Sequence, residues 1–440
     1  MTPPCSIHLW GTTIGAVSYK KNDQSLALFE YHPKFLNSNI QLSPISMPLR
    51  PGVFSFPNIS QRTFKGLPGI LVDSLPDKFG NQLIDQHMAS KGYASNEISA
   101  IDRLLYVGQR GMGALEYQPA LNMNENDGYM GGMLDLNALA ELSQVILSRE
   151  QKFLQKIKNS KDQQVVFDLL RVGTSAGGAR AKALVAIHKK NGDVLPPNVM
   201  NPQDYSHWLV KFDGVDNNQD RDGKDPKGMT VVEYIYSMIA QKCGIDMPRC
   251  QLLEIHGQRH FLIERFDRVL KNEKLDKLHY ASWCGLAHAH RDETLAYSYE
   301  QLVLLMRQLN LPQSDIVKLF KRAMFNIIGR NQDDHTKNFG FLMDRTGQWS
   351  LSPAFDMTYA YDPTGQWTKT HQITLNGKGN DFQQQDLLSF AQYCNLSKRQ
   401  AKDIIQNTID AFSQFEKLAK EYDLNKPLTK TISSTLRLKL

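Results

Sequence analysis

The sequence predicts an α+β protein of two lobes, the first built largely from strands and the second from helices, preceded by an additional N-terminal α/β subdomain. Two observations predict it. Short runs of β-branched and aromatic residues, bounded by Gly, Asn or Asp, crowd the first 285 of the 440 residues. Beyond residue 286 the apolar residues recur at helical spacing instead.

In chain order, HLWGTTIGAVSY (8–19) and SLALFEYH (25–32) read as short strands of the first unit, residues 1–130. The polar, Gly-rich stretch Asn122–Gly132 reads as a loop or boundary. A second unit, residues 131–285, holds the strand-like runs ALVAI, HWLVKF and FLIERF. Between the last two, Val232, Ile235, Met238 and Ile239 predict a helix over 229–242, stopped by Gly244. In the third unit, residues 286–440, Ser314 is placed to cap a helix carrying Ile316, Leu319, Phe320, Met324 and Ile327 that ends at Gly329. A further helix is expected over 398–422, with Ile404, Ile405, Ile409, Phe412 and Phe415 as its apolar stripe. A strand-rich lobe followed by an all-helical one is the layout of a two-lobed, kinase-like fold, although other α+β proteins share it.

Composition sets limits. Apolar residues make up 41% and charged residues 22%, values ordinary for a globular protein. The net charge of +6 favours anionic partners without singling out one. The five cysteines are odd in number and no pair has CxxC spacing, which argues against a disulfide framework and a structural zinc site and fits a reducing cytoplasm. MTPPCSIHLWGTT lacks the charged and apolar regions of a signal peptide. No apolar run approaches the roughly 20 residues that span a bilayer.

Five features fall in an order that suits phosphoryl transfer. First, Gly173 to Lys182 reads GTSAGGARAK and precedes a strand. Its glycines allow backbone N–H groups to approach phosphate oxygens, and Arg180 and Lys182 add positive charge. Taken alone, such a loop is more often a flexible turn. Second, Lys211 ends the strand HWLVK, placed to reach α/β-phosphates, and Glu233 on the next helix can orient it. Third, Glu264 to Phe266 would connect the lobes, where backbone groups pair with adenine. Fourth, Asp333 and Asn338 in NQDDHTKN stand five residues apart, the spacing of a catalytic base and an amide ligand for Mg²⁺. Asp334 competes for the role of base at an offset of four. Fifth, Asp356 follows Asn338 across a stretch that reads as a hairpin, as the second Mg²⁺-binding Asp does in kinases, although Phe-Asp-Met replaces Asp-Phe-Gly. Asn218–Gly223 resembles the opening of an EF-hand loop, but Pro226 and Met229 occupy its ninth and twelfth positions, so it reads as a solvated loop.

Together SAGGARAKA, VKF, ERFDR, QDDHTKNF and LSPAFD resemble the HipA family of bacterial toxin kinases. So does the N-terminal part, in FEYHPKFL, SPISMPL, FKGLPGILVDSLPDKFGNQLI and GQRGMGAL, so the likeness extends over nearly the whole chain. The resemblance implies phosphorylation of protein serine with ATP and Mg²⁺, an aminoacyl-tRNA synthetase being a known target in the family. It implies Asp333 as base, Asn338 and Asp356 as Mg²⁺ ligands, and Lys211 as phosphate clamp. Lys182, Gly177, Gly178 and His335 would face the nucleotide, with Glu264 and Phe266 at its adenine. Ser175 matches a serine that the family autophosphorylates, with Thr174 beside it as a second candidate hydroxyl. A small helix-turn-helix antitoxin is the implied partner, and operator DNA would be bound mainly through it. Two other readings stand beside this one: a kinase for a small molecule or lipid, and a catalytically inactive co-repressor.

Overall fold

The computed structural model describes residues 4–20, 23–119, 133–147, 168–169, 172–173, 181–197, 199, 201–213, 226–255 and 257–440. The first sheet comes from β1 (Cys5–Leu9), β2 (Thr12–Lys20), β3 (Asp23–Tyr31) and β4 (Val53–Phe54). Alternation makes the first strand: Cys5, Ile7 and Leu9 are buried while Ser6 and His8 are not. Short helices α1 (Gln61–Phe64) and α2 (Gly69–Val72) follow, then α3 (Lys78–Ser90) and α4 (Ala100–Val107). Asp77 caps α3, and Ser99 with Asp102 forms a capping box on α4. Strand β5 (Leu115–Gln118) returns to complete an antiparallel sheet in the order β4-β3-β2-β1-β5.

After α5 (Leu136–Leu147) the second sheet begins with β6 (Lys182–His188), β7 (Val194–Leu195) and β8 (Tyr205–Lys211). It continues through α6 (Met229–Lys242), β9 (Cys250–Ile255) and β10 (Gln258–Glu264), in the antiparallel order β7-β6-β8-β10-β9. The stretches ALVAI, HWLVK and FLIE therefore are strands, and α6 has the bounds its periodicity predicts. One core under this sheet joins Phe79 and Leu83 of α3 and Leu139 of α5 to Ala183, Val185, Trp208 and Val210. The N-terminal helices thus pack directly on the second sheet.

Strands β11 (Arg268–Lys271) and β12 (Lys274–Lys277) form a ribbon, and β13 (His279–Ser282) enters a third sheet. The remaining chain is α7 (Trp283–Ala287), α8 (Tyr299–Gln308), α9 (Gln313–Ile328), the hairpin β14 (Gly340–Met343) and β15 (Trp349–Leu351), then α10 (Gln384–Tyr393), α11 (Lys398–Phe412), α12 (Phe415–Glu421) and α13 (Lys426–Thr435). The C-terminal lobe is helical apart from the hairpin expected between Asn338 and Asp356, which pairs with β13. Two details differ from the sequence reading. Helix α9 begins at Gln313 after Pro312, so Ser314 lies within its first turn and does not cap it. The helix expected over 398–422 is two. The Ser413 hydroxyl donates to the Asp410 carbonyl and its N–H to that of Ile409, closing α11 before α12 starts.

Two buried seams fix the N-terminal part to the rest. At the first, the Asp73 carboxylate accepts from the Ser282 amide at 2.6 Å and the Ser282 hydroxyl at 2.7 Å, and the Gly69 amide donates to His288 Nε2 at 3.0 Å. At the second, Asp267 is fully buried and binds Arg265 and Arg268 at 2.7 and 2.8 Å and the Gly113 amide at 2.6 Å. Both arginines also donate to the Gly111 carbonyl at 3.0 Å. Burial would raise the Asp267 carboxyl, but the two guanidiniums hold it far below the ordinary carboxylate range.

Candidate active site

A cavity of about 930 Å³ opens between the N-terminal part and the two lobes. Strand β8 delivers Lys211 to it, and the buried Nζ is hydrogen-bonded to the carboxylates of Glu233, from α6, and Asp356. Burial alone would lower the Lys211 ammonium, yet these two carboxylates raise it above its usual value, so it is a fixed positive charge. Asp356 sits five residues beyond β15 in a left-handed conformation, φ 52°, which turns its side chain towards Lys211. Burial acts to raise this carboxyl as well, and the Lys211 and Lys182 ammoniums overcome it, bringing it to about 2.

The Asn331–Asn338 segment follows α9 and Gly329. Its two adjacent aspartates have opposite environments. Asp333 is 52% exposed at its side chain and lines the cavity. Asp334 is fully buried and accepts from Tyr299 Oη at 2.8 Å, His371 Nδ1 at 2.7 Å and the Gln372 amide at 2.8 Å. Both oxygens of Asp334 are engaged within the lobe, which leaves Asp333 as the carboxylate available to a ligand. Asn338 closes the segment, its Nδ2 donating to the Asp333 carbonyl at 2.7 Å. His335 Nε2 lies 3.9 Å from Asp333 Oδ1, and burial keeps the imidazole below its usual value despite that carboxylate.

Lys182 opens β6 directly opposite Lys211 in the ladder. Its Nζ lies 3.5 Å from Asp77 Oδ2 at the start of α3, both side chains being buried. Burial pushes Asp77 up to about 7, against Lys182 and the amides of Gly80 and Phe79. Glu264 ends β10 at the cavity rim, where its amide donates to the Arg249 carbonyl and its carboxylate pairs with Arg249 at 3.2 Å. Phe266 packs on Phe355 and Tyr280, ring centroids 5.8 and 6.1 Å away, making an apolar wall. Lys182, Lys211, Glu264, Phe266, Asp333, His335, Asn338 and Asp356 therefore line one cavity. Ser175, Gly177, Gly178 and Thr174 lie outside the described residues.

Asp77, Asp73 and His371 carry no sequence assignment, and Asp334, the competing candidate for base, is an anchor of the segment. A weak signal existed for Asp77, which stands in Leu75-Pro76-Asp77 immediately before a helix, a capping pattern.

Comparison with known proteins shows the family and the fold. Residues 174–415 match the HipA-like C-terminal domain, and residues 5–118 match the HipA N-terminal domain. The chain belongs to the HipA family. Over 98% of this chain and 94% of its counterpart, the fold is similar to HipA in the complex of the Shewanella oneidensis MR-1 toxin–antitoxin system HipA, HipB and its operator DNA, with a TM-score of 0.65 and 16% identity. Among sequences, two proteins of Sinorhizobium fredii named as kinases are similar. Y4mE is 26% identical over 142 residues, 30% of this chain and 34% of its own length. Y4dM is 22% identical over 244 residues, 52% of this chain and 55% of its own length. The chain thus spans about a third and about half of these relatives.

The donor set suits a hard divalent cation. Asp356 supplies carboxylate oxygens, and the Asn338 amide, oriented by its Nδ2 bond, has its oxygen left to coordinate. Among the described residues no group of three or more His, Cys, Asp or Glu side chains forms a cluster suited to a metal. Such a site would therefore be completed by ligand oxygens, as Mg²⁺ sites on nucleotides are.

Proposed function

We propose that this HipA-family chain is an ATP- and Mg²⁺-dependent protein serine/threonine kinase that acts as the toxin of a toxin–antitoxin pair. The observation that carries the reading is the meeting of Lys211, Asp333, Asn338 and Asp356, from three separate parts of the chain, at one cavity, with Glu233 behind Lys211. In this reading residues 1–130 form a HipA-type N-terminal subdomain, 131–285 the nucleotide lobe and 286–440 the catalytic lobe.

Lys211, held by Glu233, would meet the nucleotide phosphates, while Glu264 and Phe266 border the adenine. Asn338 and Asp356 would hold Mg²⁺, which when bound neutralises phosphate charge. Asp333 accepts or orients the incoming hydroxyl. His335, kept neutral by burial, can donate a hydrogen bond without adding charge beside Asp333. Positioning and charge complementarity supply most of the rate in this chemistry. Phosphorylation of Ser175 in the Gly-rich loop would add about −1.5 to −2 charge, repel the nucleotide and switch the enzyme off. A helix-turn-helix antitoxin, operator DNA reached through it, an aminoacyl-tRNA synthetase as protein target and a cytoplasmic location complete the proposal. The HipA that shares this fold is in complex with HipB and operator DNA, which supports the antitoxin and DNA partners.

The test is transfer from γ-³²P-ATP to proteins of a bacterial lysate by wild type and Asp333→Asn. Labelled protein with wild type alone is expected. Label found only in metabolites or lipids, or equal labelling by the variant, overturns the reading.

A further inference from the structure

Arg437, about a hundred residues beyond the Asn331–Asn338 segment, is bonded to both of that segment's supports. Its backbone amide donates to the Ile328 carbonyl at 3.0 Å and its Nη1 to the Ile327 carbonyl at 2.8 Å, at the end of the helix that leads into the segment. The same Nη1 lies 3.1 Å from His371 Nε2, and Nη2 donates to Asn380. The guanidinium also stacks 5.3 Å from the Phe382 ring centre. On the other side of the imidazole, His371 Nδ1 is 2.7 Å from Asp334 Oδ2, with both residues fully buried.

Hydrogen-bond chemistry gives this chain one direction. A guanidinium has no lone pair, so Arg437 must donate and His371 Nε2 must accept. The imidazole proton then sits on Nδ1 and is donated to Asp334. With the proton on Nε2, two donors would face each other at Arg437, and Nδ1 would meet the carboxylate lone pair to lone pair, at two fully buried side chains. Arg437 therefore selects the tautomer that holds Asp334, and Asp334 is the covalent neighbour of Asp333.

We infer that Arg437 is a positioning residue for phosphoryl transfer, acting through His371 and Asp334 to fix the backbone that presents Asp333. The inference rests on the kinase reading for its effect on rate, and on geometry alone for its effect on the segment. Neither Lys211 nor the Asp356 carboxylate bonds directly to Arg437, His371 or Asp334, so the effect should fall more on transfer than on ATP binding.

The experiment compares wild type, Arg437→Gln, Arg437→Lys and the double variant Arg437→Gln/His371→Asn. An Asn amide places a donor where Nδ1–H stood and has no tautomer to select. Arg437→Gln should lower kcat about 10-fold or more, with KM for ATP changed by less than about twofold. The added His371→Asn should restore part of the loss, and Arg437→Lys should fall between, because Lys like Arg can only donate whereas a Gln amide can also accept and so permits either tautomer. Hydrogen–deuterium exchange over residues 329–340 should be faster in Arg437→Gln and slower again in the double variant. Unchanged kcat and exchange in Arg437→Gln, or loss with no recovery in the double variant, overturns the inference. If wild type transfers no phosphate, the kinase reading fails, and the exchange measurement still decides the role of Arg437.

Discussion

Lys182 and Lys211 face each other across the β6–β8 ladder, yet their charges are balanced from different regions of the chain. Lys211 is held by Glu233 and Asp356, next to it in the lobes, whereas Lys182 is met by Asp77 of the N-terminal part. Two like charges on adjacent strands would repel each other. The N-terminal Asp77, whose carboxyl burial raises to about 7, therefore balances Lys182 fully only above neutral pH.

Replacing Lys211 by Met should cost stability as well as nucleotide binding. Glu233 is 2% exposed and would be left as a buried carboxylate without its cation. A loss of about 3 kcal/mol is expected in urea unfolding. The thermal shift on adding ATP with Mg²⁺ should vanish. A variant that keeps both wild-type stability and the shift would refute the clamp.

The Asp77 pair gives a signature in pH. The Asp77 carboxyl is raised to about 7 by burial, whereas an unfolded Asp titrates near about 3.9. Between these values the folded state holds a proton that the unfolded state has lost. This contribution is complete below about pH 4 and is lost as pH rises through about 7. Asp77→Asn keeps the cap, because an amide oxygen can accept from the Gly80 amide, but does not titrate. The difference in Tm, wild type minus Asp77→Asn, should therefore fall between about pH 5 and pH 8. A constant difference across that range would contradict a raised Asp77.

Adjacent aspartates should respond in opposite ways. Asp333→Asn, at an exposed side chain, should leave stability within about 0.5 kcal/mol while abolishing phosphoryl transfer. Asp334→Asn turns an amide N–H₂ towards one of three buried donors, from Tyr299, His371 and Gln372, and should cost about 2–4 kcal/mol. Urea unfolding of both variants beside a transfer assay checks the pair. Equal destabilisation would show that Asp334 is not the anchor.

The first seam can be broken by one methyl group. A Cβ at Gly285 in α7 would collide with the Asp73 carboxylate and press on the Gly69 carbonyl. Gly285→Ala should lower stability by about 1–3 kcal/mol and speed proteolysis of the N-terminal part. Unchanged Tm and cleavage would mean that the seam yields without cost.

Much of the site could be read from the sequence because its parts are local. The Asp333–Asn338 offset, the hairpin before Asp356, and α6 with Glu233 behind Lys211 each depend on spacing within one or two elements. What could not be read depends on distant segments meeting. Nothing in NQDDHTKN says which aspartate is buried, because that is decided by Tyr299 on α8 and by His371 in the loop before α10. Asp77 shows a helix cap in sequence, but its reach to Lys182 exists only once α3 packs on the second sheet. The break after Phe412 escaped because the apolar stripe continues through it at helical spacing, so the turn at Ser413 and Gln414 leaves no mark in the periodicity.

The cluster of Arg265, Asp267 and Arg268 with Gly111 and Gly113 has a mechanical consequence. These bonds rivet the stretch that follows β10 to the N-terminal sheet, at the place where a two-lobed enzyme would flex. Parting the two would strip the buried charged side chains of their bonds to the Gly111 and Gly113 backbone. At the cavity rim, by contrast, Arg62 is 71% exposed and meets Asp292 at 3.4 Å, a pair that water weakens far more readily than the buried cluster.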